Sequence, residues 1–139
     1  MHVHPPRHPT IRFVDNGASS VELVVAAPLL MTTILVSIQF AIWAHAAQCA
    51  HAAAAEAAEA ARLHDAVPAA GHGRADHVLQ QLATGVLTDA HVTVTRHPAT
   101  TRVAVTGHAE RVIPLPGLTM PVRIQVTAPT ERWIPPGNP

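Results

Sequence analysis

Glu22 is the side chain whose position most demands a chemical explanation. It stands five residues after Gly17 and immediately before Leu23–Ala44, a run without a single charge. A carboxylate inside hydrocarbon costs about 3 kcal/mol at the bilayer centre and less towards the edge. Two readings follow. At the headgroup level Glu22 costs almost nothing and needs no partner. Alternatively, a cut after Gly17 gives Ala18 a new α-amino group. Glu22, one helical turn on, then pairs with that amine within a chain or between neighbours. In this reading Gly17 and Ala18 form a processing site and Glu22 is an assembly carboxylate.

Other reactive residue types give weaker signals. Cys49 is the sole cysteine, which excludes an internal disulfide framework. It reads as a small apolar residue on an alanine helix, or as an intermolecular thiol. The chain holds 11 His, but a closed zinc site needs about four ligands at recognisable spacing. His45 and Cys49 supply only two, as do His2 and His4, so no metal site is expected. No nucleophile–base pair, paired carboxylates or phosphate-binding glycine loop is discernible, so the sequence reads as no enzyme, with no cofactor and no small-molecule substrate. The formal net charge is +0 and no basic stripe is present, which argues against nucleic acid.

The elements that would position Glu22 follow from composition. An apolar run of about 20 residues is what a helix needs to cross a bilayer. Before it, residues 1–17 are rich in Pro and His and carry Arg7 and Arg12 against Asp15. That bias places the N-terminus in the cytoplasm and the C-terminal region outside. Beyond the run, HAAQCAHAAAAEAAEAARLHDA contains neither Gly nor Pro. Alanine is the strongest helix former, so one helix is expected from about Ala18 to Asp65. At 1.5 Å per residue its length is on the order of 70 Å, with roughly half beyond the bilayer. Pro28 is a candidate bend. Glu56, Glu59 and Arg62 are spaced to interact along the helix surface.

Pro68 and AAGHG read as a loop, followed by a short second helix from Arg74 to about Val86 with Val78, Leu79, Leu82 and Val86 on one face. From His91 the period changes to two. Val92 and Val94, then Val103 and Val105, then Val122, Ile124 and Val126 alternate with polar residues, giving about three antiparallel strands. His97-Pro98-Ala99 reads as a hairpin turn, Arg111–Ile113 as a strand extension, and the tail WIPPGNP as loose. The expected class is an α+β membrane protein. Its segments are 1–17 (leader-like), 18–67 (membrane-spanning and extended helix) and 68–139 (small extracytoplasmic region). Hydrophobic residues reach 48% but aromatics only 3%, so alanine inflates the apolar count and the outer region has a small core.

The junction resembles the type IV pilin and pseudopilin leader: a short basic segment, Gly at the cut, a small residue after it, Glu at mature position five, and a long apolar helix. The whole chain is similar to the TadE-like proteins of tight-adherence (Tad) pilus systems. The matching residues are GASSVELVVAAPLLM (17–31), Gln39, Phe40 and Trp43, AAAAEAAEAAR (52–62), and RVIPLPGLTMPVRIQVTAPTERW (111–133). Leu23 departs from the pattern, in which an aromatic follows the Glu. The resemblance implies a bacterial single-pass minor pilin or pilus-assembly protein at the cell surface. Its partners would be membrane lipid, other pilin-like or Tad subunits, and a prepilin peptidase at the cytoplasmic face. Two other readings compete. One is a secreted small binding domain, released by signal peptidase near Ala44-His45-Ala46. The other is an anchored accessory subunit of a membrane complex.

Overall fold

The computed structural model describes residues 17–63, 66–113 and 115–131, with side chains from Val21 onward. The basic leader and the loose tail of the sequence reading lie outside those residues. The elements are α1 (Gly17–Arg62), α2 (Pro68–Leu82), β1 (Leu87–Arg96), β2 (Thr100–Ala109) and β3 (Pro121–Pro129). The expected class stands: a long apolar helix, a short second helix and a three-stranded antiparallel sheet in the order β1-β2-β3. The chain divides into two compact units, one up to Ile34 and one from Leu35 onward, so the division falls inside α1.

In the first unit α1 presents bulky apolar side chains to its surroundings. Leu23, Val24, Val25, Leu29, Leu30 and Met31 are all strongly exposed. The helix continues through Pro28. Downstream, the Thr32 and Thr33 hydroxyls donate to the Pro28 and Leu29 carbonyls, each at 2.8 Å. Hydroxyls on an apolar helix are thus paired within it, as a dry environment requires.

In the second unit the same helix is a spine. Ala46, Ala50, Ala53, Ala54, Ala57, Ala58 and Ala61 are buried, at the three- and four-residue steps of one helix face. All of these except Ala61 form one core cluster with Ala75 and Val78 of α2 and with Val103, Val105, Ala109 and Val122 of the sheet. Cross-strand rows build the inner sheet face: Val94 opposite Val103 opposite Val126, and Val92 opposite Val105 opposite Ile124. Alanine is what lets the elements close on the helix. At Gly71 of α2 an added Cβ would lie 3.0 Å from the Ala61 Cβ and 3.1 Å from the Ala57 carbonyl oxygen. Gly107 plays the same part in the sheet. A Cβ there would meet the Thr88 carbonyl at 2.9 Å, beside the irregularity between Thr88 and His91 where Asp89 adopts φ 51°.

Several sequence expectations need correction. Pro68 and AAGHG form no loop; they are the first turns of α2. Proline at the start of a helix loses no bond, because its N–H would have no partner there anyway. The buried face of α2 is Gly71, Ala75 and Val78, while Leu82 is exposed and Val86 lies past the helix end. Gly71 lies against α1 where an added Cβ would crowd Ala57 and Ala61. α1 stops at Arg62, short of Asp65, and β1 begins at Leu87, ahead of His91. Arg111–Ile113 adds no strand; Gln39 holds its backbone instead.

Candidate assembly and membrane-interface site

The sequence-derived junction sits in the first unit. Gly17 and Ala18 fall in the first turn of α1, and Glu22 is exposed one turn on. Its described neighbours Val21, Leu23, Val24 and Val25 are exposed too, so the carboxylate is set among apolar side chains. Ala26, Ala27 and Ala41 are exposed small residues of the same helix. Small side chains permit close approach of a neighbouring helix in lipid. Glu22 belongs to the first unit and Cys49 to the second.

Cys49 is 4% exposed. Its Sγ donates to the Leu82 carbonyl at 3.3 Å and lies 3.8 Å from His45 Nε2. Burial pushes its thiol above the usual range, the effect of desolvating a thiolate. This is the environment of a small packing residue. Among the described residues no three of His, Cys, Asp and Glu converge where a metal would bind.

A second constellation lies in the second unit, and sequence reasoning noted its residues only as family matches. Gln39 falls inside the uncharged run yet is 4% exposed. Its Nε2 donates to the Glu110 carbonyl at 3.0 Å. Its Oε1 accepts from the backbone N–H of Val112 at 2.8 Å and of Ile113 at 3.3 Å. One turn later the Trp43 indole donates to the Pro121 carbonyl at 3.1 Å, with Phe40 tilted against its ring at 5.7 Å. One helix therefore holds both ends of the β2–β3 loop. A signal was available: an amide among apolar residues must find partners or lose its hydration uncompensated.

The far end of the spine is held by charge. Arg96 donates to the Leu63 carbonyl at 3.0 Å and also to that of Ala66, and the Glu131 N–H donates to the Arg62 carbonyl at 2.9 Å. Arg62 bridges Glu59 at 2.7 Å and Glu131 at 3.1 Å, and Arg74 reaches Glu56 at 2.8 Å. Basic side chains near a helix C-terminus meet its unpaired carbonyls favourably.

Fold and site define a class: a protein with, among the described residues, one helix long and apolar enough to cross a membrane, whose continuation is the spine of a small α+β layer. The comparison with protein families narrows it. Residues 17–59 match the family model described as TadE-like protein, the family that the chain resembles in sequence. The match spans the junction, the apolar run and most of the alanine spine, and the sheet lies beyond it. It supports a Tad pilus-associated protein. No curated protein and no solved structure matches the chain.

Proposed function

We propose that this chain is a single-pass membrane minor pilin or assembly factor of a Tad-type pilus or secretion system, acting by packing and not by catalysis. The observation that carries the reading is the TadE-like match over residues 17–59, which falls on a helix with Glu22 at the entry of an exposed apolar stretch. A prepilin peptidase removes the leader after Gly17 at the cytoplasmic face. The Ala18 amine then pairs with Glu22, in the same chain or in a neighbour. The exposed stretch packs against lipid and against the spans of other subunits, with Ala26, Ala27 and Ala41 at the closest approaches. The α+β layer lies outside the cytoplasm and meets the other Tad components.

Glu22→Gln in cells carrying a complete Tad system tests this. It keeps the side chain's shape and removes the charge that compensates a buried amine. Leader removal is expected to stay near normal while recovery with other Tad subunits falls. Wild-type recovery of Glu22→Gln would leave Glu22 an interfacial carboxylate with no part in assembly.

A further inference from the structure

The β2–β3 loop, residues 110–120, carries Val112, Ile113, Leu115 and Leu118 between two strands of a half-solvated sheet. Val112 and Leu115 are 41% and 56% exposed, unusual for apolar tips of a loop that polar residues would ordinarily fill. The loop's height along α1 is fixed. Gln39 bonds Glu110, Val112 and Ile113, and Gln39 lies five residues before Ala44, where the uncharged run ends. At 1.5 Å per residue that is about 7 Å inside the end of the run. Elements that lie in a membrane interface bury their apolar face about 5–10 Å into the headgroup–acyl boundary. Trp43, the residue type that marks this boundary, bonds the loop's other end at Pro121.

Part of the loop's backbone fits the same placement. Non-helical backbone at membrane depth must leave few donors unpaired. Pro114, Pro116 and Pro121 have no N–H to satisfy. The N–H groups of Val112 and Ile113 go to Gln39, that of Leu115 to Ile113 and that of Leu118 to Leu115. Arg111 donates to the Leu118 carbonyl at 3.2 Å and remains exposed, free to reach a lipid phosphate. On the adjoining helix Leu35, Val36, Ile38 and Phe40 are exposed at the same level, so the loop continues an apolar surface.

We propose that the β2–β3 loop is a second membrane contact. Val112, Leu115 and their neighbours insert at the lipid interface beside the span, and fix the α+β layer against the bilayer surface. The proposal rests on the reading of α1 as a membrane span, and the test separates the two. The full-length chain in a Cys49→Ser background is reconstituted into phosphatidylcholine–phosphatidylglycerol vesicles with an NBD fluorophore at one engineered cysteine. Leu115→Cys reports on the loop, and Val112→Cys serves if that variant does not fold. Val36→Cys reports on the span, and Ala99→Cys, in the turn at the opposite end of the sheet, is the water control. Lipids carrying a shallow doxyl quencher are expected to remove most of the emission from position 115, and deep-quencher lipids that from position 36. Position 99 should be unaffected. Quenching at 36 without quenching at 115 or 112 overturns the loop contact and leaves the span standing. Emission at 115 that is blue-shifted, unquenched and accompanied by cross-linking to a second copy overturns it in favour of a protein neighbour. No quenching at 36 overturns the span and the loop contact together.

Discussion

Two stretches of one helix, Val21–Leu35 and Ala46–Ala61, are both apolar and both helical, yet they bury opposite amounts of themselves. Bulky Leu, Val and Met side chains of the first stretch are exposed, while seven alanines of the second are buried. Hydropathy alone ranks the two the wrong way for a soluble core. Side-chain volume separates them. Alanine adds little area, but it lets α2 and the sheet close on the helix, and close packing is where dispersion accumulates. Large side chains facing outward suit a fluid partner such as lipid. Gln39 and Trp43 stand where one regime gives way to the other.

The largest way to break this contrast is a charge in the spine. Ala57→Asp places a carboxylate at a fully buried position among apolar residues, and should destabilise the folded layer by about 3 kcal/mol. Loss of the cooperative thermal transition in detergent, followed by circular dichroism, is the readout. A sharper comparison uses one substitution in both stretches. Ala54→Leu overfills a fully buried position of the core and should cost about 1–3 kcal/mol, whereas Ala26→Leu, on the exposed stretch, should leave the transition in place. Equal effects at both positions would abolish the distinction.

The boundary between the stretches is tested at Gln39. Gln39→Leu keeps the size but leaves the Val112 and Ile113 N–H groups without their acceptor, at about 1–3 kcal/mol. Amide hydrogen exchange at those two residues should accelerate while exchange in β2 changes little. A smaller effect is expected at Cys49. Its folded thiol titrates above the ordinary range, so only the unfolded chain loses that proton as pH passes about 8.5. The unfolded state then binds fewer protons, and stability falls with rising pH in that window. Cys49→Ser should flatten the decline, measured as midpoint denaturant against pH. The smallest effect is Arg74→Ala, which removes an exposed pair with Glu56 and should cost about 0.2–1 kcal/mol.

The alternation of Val92, Val94, Val103, Val105, Val122, Ile124 and Val126 made the sheet legible, since period two and an inner valine face have one reading. The helix was equally plain from its unbroken apolar and alanine composition. α2 was misread because Pro68 and two glycines are ordinary loop residues. Their helical role depends on Ala57 and Ala61 lying against Gly71, a tertiary fact with no local trace. The junction at Gly17 and Glu22 was visible as a pattern of types. The Gln39 clamp was not, because its partners are backbone groups more than seventy residues away, and any sequence there supplies such groups.

The reading of the exposed stretch as a processed pilin-like span is tested most directly by the mass of the N-terminal peptide of the protein extracted from bacterial membranes. The account predicts a chain beginning at Ala18, and in Gly17→Val a chain that keeps its leader yet still inserts. A wild-type protein with an intact leader, or one beginning near Ala47, would contradict it.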